Sequence, residues 1–193
     1  MKIRHYLLLI ILLPWIAACA QPSKSNKKTK KQPFIAMFYN VENLFDTQDD
    51  PKINDEEFTP GGKVPWTDER LNTKIKQIGQ VMTDIASPAM PDLVGFAEVE
   101  NIRVLEMLVS SASLNKTKYN IVHYDSPDER GIDVALIYNP STFKVIESAP
   151  LQVVLPGNDL SRDILYVKGK VKSGDILHVF VNHWPSRREG TQV

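Results

Sequence analysis

Three apolar runs of this chain end in polar side chains of the kinds that hold metal ions and phosphates. Tyr39-Asn40-Val41-Glu42-Asn43 closes the first, and Phe96-Ala97-Glu98-Val99-Glu100-Asn101 closes the second. The third is Phe180-Val181-Asn182-His183-Trp184, which breaks at Pro185-Ser186-Arg187-Arg188. Strand interiors that are apolar and strand tips that are polar are how sheet proteins build sites at strand ends. Carboxylate and amide oxygens suit a hard divalent cation such as Mg²⁺, which keeps several waters and is often shared with a substrate phosphate. An imidazole can donate a hydrogen bond to a phosphoryl oxygen. Asn, Glu and His on three such tips point to hydrolytic phosphate chemistry on a divalent metal.

The elements that must position these tips are legible as periodicity. Phe34 to Asn40 reads as a buried strand. Residues 46–66 read as a solvated loop flanking the site, rich in Asp and Glu and broken by Pro51, Pro60, Gly61, Gly62 and Pro65. Its acids do not have EF-hand spacing. Thr67 can cap a helix with Asp68 and Glu69 in its first turn. Leu71, Ile75, Ile78, Met82 and Ile85 form its inward stripe, and Pro88 and Pro91 end it. Leu93 to Ala97 is a short strand tipping into Glu98. Asn101 caps a second helix to about Ser111, with Ile102, Leu105, Leu108 and Val109 inward and Glu100 at its start. Tyr119–Tyr124, Ile132–Tyr138, Phe143–Ile146 and Leu151–Leu155 read as strands, and Ile164–Val171 with Ile176–His183 as a hairpin. Asp133 interrupts an otherwise apolar strand and reads as a hydrogen-bond anchor. His123 and His178 lie within strands and read as structural or surface residues. Strand, helix, strand, helix and then many strands suits a mixed sheet with flanking helices.

The ends divide the chain. Residues 1–19 have the form of a lipoprotein signal peptide: Lys2 and Arg4, an apolar Leu7–Leu13 too short to span well, then Ile16-Ala17-Ala18-Cys19. Cys19 is the only cysteine, so no intrachain disulfide forms. Its lipidation would anchor the protein to a membrane in a bacterial cell envelope, periplasmic or at the outer-membrane surface. Residues 20–32 form a lysine-rich tether with too little apolar surface to fold. Residues 33–193 are enough for one domain with a real core. The whole chain has 23 basic and 23 acidic residues, but from residue 33 onward the balance is 16 against 23, a net of −7. That is not the surface of a protein that grips nucleic acid by charge alone, although it leaves a nucleic-acid substrate open.

Read together, three phrases carry a family resemblance. They are Phe38-Tyr39-Asn40-Val41-Glu42-Asn43-Leu44-Phe45-Asp46, Arg130-Gly131-Ile132-Asp133-Val134-Ala135-Leu136-Ile137-Tyr138 and Asn182-His183-Trp184-Pro185-Ser186-Arg187, with Glu98 between the first two. In this order they resemble the endonuclease/exonuclease/phosphatase superfamily, the deoxyribonuclease-I-like fold. The resemblance implies an α/β fold, a four-layer α-β-β-α sandwich of two mixed sheets with outer helices, here incomplete at its C-terminus. It further implies Glu98 as the main metal ligand, Asn40 beside it on metal or phosphate, and Glu42 as a weaker ligand candidate, with Mg²⁺ or Mn²⁺ as cofactor. His183 is similar to the catalytic histidine at the scissile phosphate, and Arg162 to a phosphate-binding arginine. Asn182 stands with these as a phosphate-binding candidate, and Arg187 is either a grip on the phosphate backbone or a turn residue.

The later Asp-x-Asn and Asp-His motifs of that family do not occur in a suitable place. The resemblance therefore implies a C-terminally truncated member, inactive or nearly so by itself. The expected parent activity is metal-dependent phosphodiester hydrolysis, with a monomeric nuclease on extracytoplasmic DNA or RNA as the first expectation. A phosphatase or phospholipase-C-like enzyme on small or lipid phosphates is the second, and a non-catalytic surface binding lipoprotein the third.

Overall fold

In a computed structural model of the chain, residues 33–154 and 161–184 are described. Cys19, the tether, Arg187 and Arg188 lie outside the described residues. Two sheets stack face to face. The first has strand order β1-β2-β4-β3, from β1 (Ala36–Leu44), β2 (Leu93–Val99), β3 (Asn120–His123) and β4 (Asp133–Tyr138). It is mixed, because β1 and β2 run parallel while β4 is antiparallel to both its neighbours. The second has order β5-β6-β7, from β5 (Phe143–Leu151), β6 (Ile164–Val171) and β7 (Ile176–Val181), and is antiparallel throughout.

Alternation along β2 and β4 divides the core. Val94, Phe96, Ala135 and Ile137 face two helices, α1 (Asp68–Ala86) and α2 (Ile102–Ser110). Leu93, Ala97, Val134 and Leu136 face the second sheet, where they meet Phe143, Leu165, Val167 and Val181. Each fully buried side chain of this size contributes roughly 1.5–3 kcal/mol, so these two interfaces hold the fold. Thr67 accepts from the Arg70 amide and Asn101 from the Val104 amide, which satisfies donors at both helix starts.

Several expectations change. The α1 stripe ends on buried Ala86 rather than on Ile85, which is exposed, because four residues beyond Met82 lie closer to its face than three do here. Ile102 is likewise exposed, and buried Val104 takes its place in α2. The run expected at 143–146 extends to Leu151 as one nine-residue strand, β5, with an irregularity between Val145 and Glu147, whereas 152–154 lie beyond it and 155 is outside the described residues. Pro150 is tolerated there because β5 is an edge strand.

The 46–66 loop is mostly exposed, as expected, but a few packed residues anchor it. Phe58 stacks on buried Phe45 with centroids 4.3 Å apart, and the Trp66 indole donates to the Phe45 carbonyl at 2.8 Å. Its acids serve the backbone: Asp46 accepts from Gln48 N, Asp50 from Lys52 N, and Asp55 from Asp50 N. Ile53 of this loop lies on Gly131. A Cβ there would come 2.2 Å from Ile53 Cδ1, and φ is +63°, so this position needs glycine on both counts.

On its outer face the second sheet exposes Ile146, Ile176 and Phe180, and no helix covers it among the described residues.

Candidate active site

Strand direction brings five strand ends together. Parallel β1 and β2 both finish at one end of the first sheet, and antiparallel β4 begins there. In the second sheet, Leu165 pairs with Val181, so β6 starts where β7 finishes. Asn40, Glu98, Arg162 and His183 therefore gather, although they come from distant parts of the sequence.

Backbone irregularities aim them. Pairing shifts between Ala97 and Val99, leaving Glu98 as the extra residue, and Glu98 has φ +64°. In unbroken alternation Glu98 would share the helix-facing side with Phe96. The shift moves Val99 onto that side, and Glu98 turns toward the second sheet. The β1–β2 register also lapses between Asn40 and Leu44, where Glu42 (φ 54°) and Asn43 (φ 63°) are both left-handed. Three of the four non-glycine residues with positive φ among the described residues thus border one cluster. Each costs on the order of 1–3 kcal/mol and persists only where surrounding contacts hold it.

At the centre, Asn40 Nδ2 donates to Glu98 Oε1 at 2.9 Å, and His183 Nε2 lies 3.3 Å from the same oxygen. Asn40 Oδ1 in turn accepts from Glu42 N at 2.9 Å. Burial lowers the His183 pKa, and nearby Arg162 lowers it further, against the opposing pull of Glu98. The imidazole is thus biased toward its neutral form, a hydrogen-bond donor through one nitrogen. Its Nδ1 is buried without a hydrogen-bond partner among the described residues.

Arg162 Nε lies 3.0 Å from Asp128 Oδ2, with both side chains 10% exposed. Charge holds this pair, since the Nε–H is not aligned as a hydrogen bond. Arg130 Nε is 3.8 Å from the other oxygen of Asp128. Asp128 stands two residues before the Arg130-Gly131-Ile132-Asp133 phrase with no other mark in the sequence, and Arg130 opens that phrase without a role assigned to it. Lys74 was also missed. It comes from α1, donates to the Glu42 carbonyl at 2.7 Å, and burial lowers its pKa against the pull of Glu42 and Glu98. A helix surface lysine has no sequence mark that separates it from its neighbours.

Not every candidate joins the cluster. The Asn182 amide donates to the Phe180 carbonyl at 3.2 Å, two residues back on its own strand. Glu100 is buried, accepts from Asp46 N, and burial pushes its carboxyl up to about 8. It braces the loop after β1, away from Glu98. Asp133 is the expected anchor: it accepts from Ser126 N and Oγ and pairs with His123 Nε2 at 2.9 Å. His123, Asp125 and Asp133 bring ligand atoms within 4.8 Å of one another. Both Asp133 oxygens are already engaged, however, so this group ties the start of β4 to β3 and the loop that carries Asp128. His178 is exposed and bonds the Tyr166 hydroxyl.

The residues at the centre fit a hard cation. Among the described residues Glu98 Oε2 takes no hydrogen bond, and Asn40 Oδ1 keeps a second lone pair beyond the one given to Glu42 N. All nearby donors other than imidazole are oxygens, as Mg²⁺ or Mn²⁺ requires.

Fold and site together define a two-sheet α/β protein with a carboxylate–amide–imidazole group across its strand ends. Residues 35–193 match the Endonuclease/Exonuclease/phosphatase family. The chain belongs to that family. Among curated proteins none matches it. Solved structures similar to it include a humanized D. rerio TDP2, at 16% identity and TM-score 0.49, covering 79% of this chain and 51% of that one. An endonuclease/exonuclease/phosphatase family protein from Bacteroides thetaiotaomicron has 15% identity and TM-score 0.48, covering 76% and 47%. The mannosyl-6-phosphatase of the same organism has 16% identity and TM-score 0.48, covering 77% and 50%. The chain spans about half the length of these structures.

Proposed function

We propose that the protein belongs to a divalent-metal-dependent phosphodiester hydrolase, a monomeric nuclease acting on DNA or RNA outside the cytoplasm. The observation that carries this reading is the meeting of Asn40, Glu98 and His183 from three strands at one end of the sandwich. Glu98 and Asn40, with Glu42 alongside, would hold Mg²⁺ or Mn²⁺. Such a cation stabilises charge on the phosphoryl oxygens and leaving group and lowers the pKa of bound water.

The chain's own residues supply the rest. Neutral His183 donates a hydrogen bond to a phosphoryl oxygen. Arg162, held by Asp128, offers its guanidinium to the phosphate in a fork geometry that suits it. Glu98 holds the Asn40 amide in place beside the phosphate. No general base is assigned among the described residues in this reading. Lipidation of Cys19, with residues 20–32 as tether, places the enzyme on a membrane of a bacterial envelope.

The second reading is a phosphoesterase on small or lipid phosphates, favoured by the net charge of −7 from residue 33 onward. The test uses the longest natural form of the protein without its lipid anchor. Plasmid DNA and bis-p-nitrophenyl phosphate are each incubated with Mg²⁺, Mn²⁺ or EDTA, using Glu98→Gln in parallel. Metal-dependent cutting of DNA that EDTA blocks supports the nuclease, and hydrolysis of the small ester alone supports the second reading. Glu98→Gln activity within about twofold of the parent at saturating metal overturns the role of Glu98, since outer and inner metal partners typically matter by 10–100-fold.

A further inference from the structure

The strained turn after Asn40 is held by a side chain from another layer of the fold. Glu42 and Asn43 are consecutive left-handed residues, and the β1–β2 ladder lapses between Asn40 and Leu44. The Glu42 carbonyl is met by Lys74 Nζ at 2.7 Å, from the middle of α1. The ammonium also lies 5.7 Å from the Trp66 ring centroid, and Trp66 is itself fixed by its bond to the Phe45 carbonyl. Lys74 is thus held from two sides and only partly exposed.

From this turn a continuous chain of contacts reaches the site. Lys74 donates to the Glu42 carbonyl, Glu42 N–H to Asn40 Oδ1, and Asn40 Nδ2–H to Glu98 Oε1, beside which His183 stands. A left-handed pair of L residues relaxes unless something over-determines it. Relaxation at Glu42 would withdraw the N–H that orients the Asn40 amide, and a free amide can rotate by half a turn and present its oxygen to Glu98.

We propose that Lys74 is a positioning residue: it locks the Glu42–Asn43 turn and thereby fixes the Asn40 amide against Glu98. Its catalytic consequence rests on the function proposed above, while its structural consequence does not. Lys74 does not touch the reacting atoms in this scheme. It acts as a strut between α1 and the end of β1.

The experiment compares Lys74→Met, Lys74→Arg and, as a control on the same helix, exposed Lys76→Met in the natural protein. Met keeps the apolar stem on Trp66 and removes the donor. Expected for Lys74→Met are displaced or doubled NMR signals from the Asn40 side-chain amide and the Glu42 amide. Mn²⁺ affinity, followed by water-proton relaxation, is expected to weaken about tenfold, as for other residues that orient metal ligands. The loss in hydrolysis falls on kcat rather than KM, and Lys74→Arg recovers part of it. Asn40 and Glu42 signals that move no more than in Lys76→Met overturn the proposal. So do displaced signals with unchanged Mn²⁺ affinity. Loss of the proposed activity is scored separately by Glu98→Gln: if that variant binds Mn²⁺ like the parent, the metal reading fails, and the Asn40 and Glu42 signals alone then decide the role of Lys74.

Discussion

At Gly95, β2 packs tightly on β7 near the site, and Gly95→Ala tests whether sheet spacing sets the site's geometry. A Cβ at Gly95 would meet Val181 Cγ2 at 3.2 Å, Val181 Cγ1 at 3.3 Å and Phe38 Cδ2 at 3.5 Å. Carbon atoms settle at about 3.5–4.0 Å, so β2 and β7 must part by roughly 0.3–0.4 Å. Gly95 lies three residues before Glu98, and Val181 two before His183. Their Oε1–Nε2 separation of 3.3 Å then opens to about 3.6 Å, which loosens the packing of the two groups. Stability should barely register this. Overpacking costs about 1 kcal/mol at the low end, while a methyl group buried and a less flexible unfolded chain return a similar amount. The net change is within about 1 kcal/mol by urea unfolding. Geometry is less forgiving: a displacement of about 1 Å costs around 100-fold in rate, so this one costs roughly fivefold. The assay is kcat/KM on bis-p-nitrophenyl phosphate for Gly95→Ala, Val181→Ala and the double variant. Val181→Ala removes both crowding methyls, so Gly95→Ala should cost little in that background. Full activity in Gly95→Ala, or an equal loss in both backgrounds, refutes the reasoning.

Two further outcomes follow from charges buried near the site. Glu100 has a folded pKa of about 8 against an ordinary 4.5, so the folded state keeps a proton that the unfolded state has lost. The stabilising term is complete below pH 4.5 and disappears as pH rises to 8. At about 1.4 kcal/mol per unit, and allowing for solvent screening, it is worth on the order of 3 kcal/mol. Glu100→Gln should flatten the fall in urea midpoint between pH 5 and 8.5, and an unchanged slope counts against a protonated Glu100. Asp128→Asn strips Arg162 of its counter-charge and should destabilise the fold by about 3 kcal/mol, as for one partner removed from a buried pair. It should also raise KM severalfold, because the guanidinium loses its orientation. A loss below about 1 kcal/mol with KM unchanged would show that the pair holds nothing in place.

Periodicity and local chemistry were enough to recover most of the fold. The Thr67 and Asn101 caps, the helix registers to within a residue or two, and the hairpin around Gly174 all rest on interactions among near neighbours in sequence. So does the polar character of the strand tips, because a buried strand cannot carry Asn40, Glu98 or His183 in its interior without a partner. Ile85 and Ile102 were misread for the converse reason. Their hydrophobicity marks them as core, but which apolar residue of a helix goes inward depends on what faces it. The 46–66 loop is mostly exposed as expected, but its anchors, Phe58 on Phe45 and Ile53 on Gly131, were not legible because they are contacts between residues apart in sequence.

By itself the sequence determined which residue types stand at the tips and in what order, since these follow from alternation, caps and breakers. Tertiary structure alone decided that the tips meet. The register shift at Glu98 reverses which face its carboxylate takes, and strand direction puts His183 and Arg162 at the same end. Lys74 and Asp128 enter the site only through packing. No sequence pattern marks a charged side chain whose partner lies tens of residues away, because such a pairing is selected by the shape of the whole sandwich.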